Sequence, residues 1–222
     1  MRPSALASVL EGDPYLNAHE LALRAGNEGS DEYDAALAKQ HGRFLGRRLV
    51  FEATFVRGQE VRYGALNAGT MGTLRYGAAC AILKDGALAS VALLPGDSLR
   101  LYADDDSVDL PRLAGDVGTW ASRADVAVVK HHEQVCRICD DAWPHLMCHG
   151  NHFIEVIFLE RVAAATMREV RLRESDVRLR RDAAEDNYDT ATDEEKVLFL
   201  AMLRIEGAAQ GHGIPVETLP DD

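Results

Sequence analysis

The chain has 222 residues, of which 47% are hydrophobic and 27% are charged, a composition that is ordinary for a globular protein. Its formal net charge of −12 disfavours a general nucleic-acid binder, because neutralising phosphates requires a basic surface. No apolar run approaches the roughly 20 residues of a membrane-spanning helix, and the first residues contain no apolar stretch of signal-peptide length. We therefore expect no membrane partner, and either a cytoplasmic location or secretion by a route that uses no cleaved signal peptide.

Helical patterns dominate the start of the chain, and residues 1–46 predict a helical N-terminal extension. Asp13 and Pro14 are typical of an N-cap and a first helical position, and the pattern that follows them ends at Gly26. Ser30 is a suitable N-cap for a second amphipathic helix, which ends at Gly42. Neither helix carries a recognisable site, so we interpret both as packing elements.

Residues 47–222 have the pattern of an α+β domain, in which short apolar runs are separated by turn residues. Four of these runs predict strands, at residues 49–56, 78–84, 87–94 and 124–129. The Asp85-Gly86 step between the second and third runs predicts an antiparallel hairpin, because this dipeptide tolerates the positive φ of a tight turn. The alanine content of these two runs leaves a helix as the alternative.

The later part of the chain gives clearer local signals. Residues 151–162, NHFIEVIFLERV, are the strongest strand pattern in the sequence. Thr192 and Glu195 have the spacing of a capping box and predict a helix, and residues 214–219 predict a closing edge strand. The arginine-rich residues 168–181, which an acidic run follows, predict a solvated surface with compensating charges.

An Arg-Tyr-Gly-Ala step occurs twice, at residues 62–65 and 75–78, and a Gly-Asp-Ser step follows at residues 96–98. A glycine beside an aromatic ring lets a ligand or a neighbouring backbone approach closely. The arginine before the ring can reach an anionic group. On composition alone, these steps predict two strand starts and an Asx-type turn.

Three segments in this order give the chain a family resemblance: RYGALN (residues 62–67), RYGAACAILKDGALASVALLPGDSL (75–99) and FIEVIFLERVAAATMREVRL (153–172). Together they resemble a bacterial family that is similar to the ADP-ribosyltransferase superfamily and includes toxin-like and phage head-associated proteins. The likeness extends in outline over residues 49–219, and the family's strand glutamate falls on Glu155.

The resemblance implies a compact mixed or antiparallel split sheet of the ADP-ribosyltransferase type, with NAD as the substrate and a protein or nucleic acid as the acceptor of ADP-ribose. It implies that Glu155 is catalytic, because a fixed carboxylate stabilises the positive charge that develops on the ribose as the nicotinamide bond breaks. A bacterial toxin or effector of this kind also implies an inhibitory partner. The implied NAD-binding residues are Arg62, Tyr63, Asn67, Arg75, Tyr76, Asp97 and Ser98.

The chain departs from the family pattern in three respects. Ile157 stands where the family has a glutamine, Leu159 and Glu160 stand where it has His-Gly, and no predicted first strand carries the arginine or histidine that grips NAD. These differences leave open a degenerate site with Glu155 facing outwards on an edge strand, since strand alternation puts it on the same face as Ile157. The nearest candidates for the gripping residue are His41, Arg47 and Arg48.

A Cys/His-rich insertion occupies residues 131–152 and holds three of the four cysteines. Its CxxC step is typical of the first half of a zinc site, and thiolate and imidazole ligands suit zinc. The family resemblance does not imply this site. The alternatives are a set of reduced cysteines and a redox pair at the CxxC step. The predicted zinc ligands are Cys136, Cys139, Cys148 and either His152 or His149.

Two functions of different classes follow from these patterns. The leading hypothesis is an NAD-dependent ADP-ribosyltransferase, with NAD hydrolysis as a variant of the same chemistry. The alternative is a non-enzymatic interaction protein that zinc stabilises and whose cleft is degenerate. A Ser-His-Asp hydrolase is a third hypothesis, with Ser98 as the nucleophile and His149 or His152 as the base, although such enzymes carry the Gly-Asp-Ser-Leu step near the N-terminus rather than mid-chain.

Overall fold

The computed structural model describes residues 1–73, 77–88, 90–148, 150–177 and 191–220. Its strands are β1 (Arg62–Ala65), β2 (Ala79–Leu83), β3 (Val91–Leu94), β4 (Glu155–Phe158), β5 (Met167–Arg173) and β6 (Val216–Leu219). Within the described residues they form two three-stranded sheets, so the fold is α+β. The first sheet has the order β1–β4–β3 with antiparallel pairings, and the second has the order β2–β5–β6, with β5 antiparallel to β2 and parallel to β6.

Helices occupy most of the remaining regular structure. They are α1 (Pro3–Leu10), α2 (Ala18–Leu23), α3 (Asp31–His41), α4 (Leu45–Glu52), α5 (Ser98–Leu101), α6 (Leu110–Asp116), α7 (Arg123–Lys130), α8 (Trp143–Cys148) and α9 (Asp193–Gly211). In the part of the chain that the structure describes, no helix is both long and apolar enough to cross a membrane.

Local capping signals define several helix ends. The predicted helix after Ser30 is confirmed as α3, whose first turn the Ser30 hydroxyl caps and whose end lies at Gly42, with a φ of 54°. The Thr192 capping box is confirmed at the start of α9. The helix predicted from Asp13 begins later, at α2, because Asn17 and Glu20 form a capping box of their own.

Two of the predicted strands are helices. Residues 49–52 lie in α4 and residues 53–56 in the turns that follow it, and residues 124–129 lie in α7. In α4 the Phe51 side chain is buried while Leu49 is exposed, and in α7 Val129 is exposed although it belongs to the apolar run. The strand predictions were wrong because these apolar runs supply one face of a helix rather than the alternating faces of a strand.

The predicted hairpin between residues 78–84 and 87–94 is also wrong, although both runs contain strands. β2 pairs with β5 and β3 pairs with β4, so the two strands belong to different sheets. The Lys84 main-chain N–H donates to the Thr166 carbonyl and extends the pairing of β2 towards β5. The Asp85-Gly86 turn therefore passes the chain from one sheet to the other.

The second sheet places one charged segment differently from its prediction. β5 falls in the arginine-rich residues 168–181 and is the central strand, with Val170 and Leu172 buried on one face. A solvated surface is therefore wrong for the first half of that segment, because its period-2 apolar residues supply a core face. The closing edge strand is confirmed as β6.

Both faces of the first sheet are buried. Val156 and Phe158 on one face join the main core, which α1, α9 and the second sheet complete. Ile157 on the other face packs with Phe51 of α4 and Leu99 of α5. A polar side chain on this second face is therefore enclosed between a sheet and two helices.

The N-terminal helices share these cores. Leu6 and Leu10 of α1 are buried in the main core, where α1 packs on α9. The predicted boundary between residues 46 and 47 falls inside α4. The division into an extension and a domain stays a prediction, but the helices of the proposed extension pack against the rest of the chain.

Arg62 connects α2 to the first sheet. Its side chain is 2% exposed, and its Nη2 donates to both carboxylate oxygens of Glu20, at 2.7 and 2.6 Å. Its Nη1 donates to the carbonyl oxygens of Glu60 and Leu159, at 2.9 and 3.2 Å. This bidentate, buried arrangement makes the Arg62 charge part of the packing between α2 and β1.

We expect Arg62→Ala to lower the free energy of unfolding by about 3 kcal/mol, because removing one partner of a buried ion pair leaves the other uncompensated. Arg57→Ala is the matched control, since Arg57 pairs with Glu60 on the surface and exposed pairs contribute little. Urea denaturation measures both. Losses of similar size in the two variants would contradict the structural role of Arg62.

Candidate functional site

Tyr63 and Glu155 lie on the enclosed face of the first sheet. Glu155 pairs with Ala65 of β1, and Tyr63 pairs with Ile157 of β4, so all four side chains project to the same side. β4 is the central strand, and Glu155 is 1% exposed. The alternative of an outward-facing Glu155 on an edge strand is therefore wrong.

The Gly-Asp-Ser turn lies directly over the Glu155 carboxylate. Asp97 is the N-cap of α5, and its Oδ1 accepts a hydrogen bond from the Leu99 N–H at 3.1 Å. The N–H of the preceding residue, Ser98, donates to Glu155 Oε2 at 3.0 Å. The predicted turn and the predicted catalytic strand thus meet, although they are 57 residues apart in the sequence.

Burial controls the ionisation of Glu155. Burial raises its pKa to about 7, and the hydrogen bond from the Ser98 main-chain N–H and the positive charge of Arg48 oppose that rise. A carboxyl group with a pKa in this range can gain or lose a proton near neutral pH. That property is frequent at functional sites, where buried titratable groups have specific charge partners.

Arg48 lies against the Tyr63 ring, with its guanidinium carbon 3.9 Å from the ring centroid. This distance is typical of a cation–π contact. Arg48 comes from α4 rather than from a strand, and its charge acts on Glu155 across the enclosed space. The structure therefore places Arg48, a candidate for the NAD-gripping residue, in contact with Tyr63 of the predicted site.

Several buried donors around this site make no hydrogen bond within the described ranges. They are Nε and Nη1 of Arg48, Oγ of Ser98 and Nε2 of His41. Burial lowers the pKa of His41 and the nearby Arg48 charge lowers it further, so its imidazole lies within electrostatic reach of Arg48. Buried polar atoms are almost always paired in folded proteins. The unpaired Arg48 nitrogens, whose charge acts on Glu155, are donors of the kind that a polar ligand would need.

A second set of polar residues contacts Tyr63 at its hydroxyl group. The Tyr63 hydroxyl donates to Glu52 Oε1 at 3.0 Å, and Glu52 Oε2 lies 2.8 Å from His19 Nε2. The other nitrogen of His19 lies 2.8 Å from the Tyr33 hydroxyl. Sequence analysis missed His19 and Glu52, because each is an ordinary polar residue in a helix until α2 and α4 pack against β1.

The remaining predicted NAD-binding residues are placed in other ways. Arg62 lies on the opposite face of β1 and pairs with Glu20. Asn67 organises its own loop, because its side-chain oxygen accepts hydrogen bonds from Gly69 and Thr70 and its amide donates back to the Thr70 carbonyl. Arg75 and Tyr76 lie outside the described residues. Arg47, another candidate gripping residue, pairs with the exposed Asp105.

The structure does not assemble the predicted zinc ligands. Cys136 and Cys139 are exposed, Cys148 is buried, and His152 is exposed. Among the described residues, no three His, Cys, Asp or Glu side chains are grouped so that they could hold a metal ion. His149, the alternative fourth ligand, lies outside them. Zinc binding stays a prediction.

The hydrolase hypothesis gains no geometric support. Ser98 is fully buried, and its Oγ makes no hydrogen bond to a described residue. A serine nucleophile requires an imidazole within hydrogen-bond reach of its hydroxyl.

Comparisons of the chain with protein-family models, with curated proteins and with solved structures found no match. The family resemblance therefore depends on the three sequence segments alone.

The raised pKa of Glu155 predicts a specific dependence of stability on pH. Its folded pKa, about 7, exceeds the ordinary value of 4.5, so between these values the unfolded chain is ionised while the folded chain keeps the proton. The proton that Glu155 retains in the folded state therefore stabilises that state. This contribution to the free energy of unfolding is complete below pH 4.5 and is lost as the pH rises towards about 7. The free energy of unfolding of the parent chain minus that of Glu155→Gln should therefore fall by roughly 3 kcal/mol across this range.

Chemical denaturation at several pH values measures this difference. Subtracting the Glu155→Gln curve removes the contribution of every other titrating group that behaves alike in both proteins. A difference that stays constant from pH 4.5 to 7 would contradict a buried, protonated Glu155.

Proposed function

We propose that the chain is an ADP-ribosyltransferase-like domain that binds NAD and transfers ADP-ribose to a protein or nucleic-acid acceptor. The observation that carries this proposal is the meeting of Glu155, Tyr63 and Arg48 on one enclosed face, beneath the Gly-Asp-Ser turn. The two small sheets of the α+β fold support a split sheet of that superfamily's type. A bacterial toxin or effector with an inhibitory partner is part of the same proposal.

Glu155 would act on the nicotinamide ribose. The bond from ribose C1′ to the nicotinamide nitrogen breaks, nicotinamide leaves with the bonding electrons, and positive charge develops on the ribose. An ionised Glu155 stabilises that charge as it forms. The acceptor nucleophile then bonds to C1′ and loses its proton, to Glu155 or to solvent. With water as the acceptor, the same steps hydrolyse NAD.

Arg48 and His41 would hold the substrate. Both side chains present buried nitrogens that make no hydrogen bond in the described part of the protein. A guanidinium group binds the oxygens of a diphosphate well, and the Tyr63 ring beneath it fixes its plane. Arg48 is a better candidate than Arg47, whose side chain already pairs with Asp105. The gripping residue would thus come from a helix instead of the family's first strand.

The proposal requires the site to open. Glu155 is 1% exposed, and the Ser98 N–H donates a hydrogen bond to one of its carboxylate oxygens. α5 has only four residues and follows Gly96, so the segment that covers the carboxylate is short. Displacing it would exchange the hydrogen bond from Ser98 for contacts with the ribose.

Release of nicotinamide from NAD tests the proposal. We expect Glu155→Gln to reduce the turnover rate by about a hundredfold or more, because the charge on the ribose loses its stabilising carboxylate. The activity of the parent chain should rise as the pH passes through about 7, where Glu155 ionises. Glu194→Gln, an exposed change of the same chemical type, should keep the parent rate.

Chromatographic measurement of free nicotinamide supplies the rates, and thermal unfolding establishes that each variant is folded. Equal rates in the parent chain and in Glu155→Gln would contradict catalysis by Glu155.

One observation favours the alternative of an interaction protein with a degenerate site. The near-complete burial of Glu155 and its hydrogen bond to Ser98 also suit a polar group with a purely structural role. Calorimetric titration with NAD separates the two functions. A folded parent chain that binds no NAD would favour the interaction protein.

Zinc binding is proposed separately, with Cys136, Cys139, Cys148 and His152 or His149 as ligands. Elemental analysis of chain purified without chelators should find about one zinc per chain, the stoichiometry of a four-ligand site. Cys136→Ser should lose most of the metal, whereas Cys80→Ser, which removes the cysteine outside the cluster, should retain it. A content below about half an equivalent would contradict the proposal.

A further inference from the structure

A continuous set of buried polar contacts runs from the N-terminal helices to the site. Tyr33 of α3 contacts His19 of α2 at 2.8 Å, His19 contacts Glu52 of α4 at 2.8 Å, and the Tyr63 hydroxyl donates to Glu52 at 3.0 Å. At the far end, Arg48 lies over the Tyr63 ring at 3.9 Å. Each contact links a different element, so the set connects α2, α3 and α4 to β1.

The hydrogen-bonding chemistry assigns a direction to these contacts. A carboxylate only accepts hydrogen bonds, so Glu52 accepts one from Tyr63 at Oε1 and one from His19 Nε2–H at Oε2. Both oxygens of Glu52 are thus used, and its side chain cannot rotate without breaking one of them. The Tyr63 ring is held at its hydroxyl by Glu52 and at its face by Arg48.

Arg48 and Glu52 are four residues apart on α4, so they project from the same side of that helix. Both contact Tyr63, one through the ring face and the other through the hydroxyl. Two side chains of α4 therefore hold Tyr63, and the positive charge of one of them, Arg48, acts on Glu155.

Stability alone does not account for these residues. Replacing buried ionic and polar groups by apolar groups of similar volume is often neutral or stabilising. Catalysis by Tyr63 is also disfavoured, because burial raises the pKa of its phenol far above the ordinary value and keeps it protonated. The role that remains for these buried polar contacts is to hold side chains in position.

We infer that His19 and Glu52 are positioning residues, which hold the Tyr63 ring and, through it, the Arg48 guanidinium opposite Glu155. The N-terminal helices α2 and α3 then form part of the site and are not only packing elements. This inference rests on the proposed function for its catalytic meaning, but its structural content can be measured without any activity.

The test is a titration of the Glu155 carboxyl group by carbon-13 NMR in the full chain. The charged and titratable groups that act on Glu155 include Arg48 of α4, Asp97 beside α5, Tyr63 of β1 and Tyr102, while Glu52 acts on Arg48 and Tyr63. Glu155→Gln assigns the signal, because it removes the titrating resonance.

Glu52→Gln separates the positioning role from a simple change of charge, because the two predict opposite shifts of the Glu155 pKa. Removing a negative charge by itself would lower the pKa of Glu155. Releasing Tyr63 and Arg48 would move a positive charge away and raise it. We expect a rise, whereas Glu60→Gln, an exposed change of the same type, should leave the titration midpoint unchanged.

Tyr63→Phe provides the same test if Glu52→Gln does not fold. This variant keeps the ring and removes only the hydroxyl that Glu52 holds, so we again expect a rise in the Glu155 midpoint. A fall, or no shift, in the variants that fold would overturn the inference.

Nicotinamide release adds the catalytic readout. Glu52→Gln should lower kcat by about tenfold to a hundredfold, because small misplacements of a catalytic arrangement are costly, and Glu60→Gln should keep the parent kcat. If Glu155→Gln itself retains full activity, the proposed function fails, while the NMR shift still decides whether Glu52 positions Arg48.

Discussion

A single hydrogen bond, from the Ser98 main-chain N–H to the Glu155 carboxylate, joins the two motifs on which this account depends. Glu155 belongs to the central strand of a sheet that is covered on both faces, so its carboxyl group cannot reach solvent without movement of the cover. Leaving such a group unpaired would be costly. The Ser98 N–H and the Arg48 charge lower the cost of burying the ionised Glu155 carboxylate. They also make the pKa of Glu155 depend on the positions of these two groups.

The architecture follows from the same constraint. One face of the first sheet is committed to the main core, and the other is closed by α4 and α5. Polar groups on the closed face must therefore satisfy one another, and the structure does this with residues from distant parts of the chain. Glu52 and His19 are paired, whereas Nε and Nη1 of Arg48 and Nε2 of His41 make no hydrogen bond to the residues that the structure describes.

The sequence was sufficient to predict those helices and strands whose capping residues or apolar residues are neighbours in the chain. Ser30 and Thr192 cap the helices that their hydroxyls predicted, and the apolar residues around Glu155 form the strand that their composition predicted. The order of the motifs also predicted that Tyr63, Ser98 and Glu155 belong together. The contacts of Ser98 with Glu155 and the shared face of Tyr63 and Glu155 agree with that prediction.

The rest depends on tertiary partners that no local pattern encodes. β2 and β3 flank a turn typical of a hairpin, yet each finds a better partner much later in the chain. Arg62 and Tyr63 are adjacent, but the pleat sends them to opposite faces, and only Tyr63 reaches Glu155's side. Arg48 precedes the run predicted as a strand at residues 49–56, and it lies in a helix that brings its side chain onto Tyr63.

A crystal structure of the chain with a non-hydrolysable NAD analogue tests the central claim most directly. We expect the ribose bonded to nicotinamide to lie within hydrogen-bond distance of Glu155, with Arg48 and Tyr63 in contact with the analogue and the Ser98 N–H displaced from the carboxylate. An analogue bound elsewhere, with Glu155 still covered and bonded to Ser98 at saturating concentration, would contradict it.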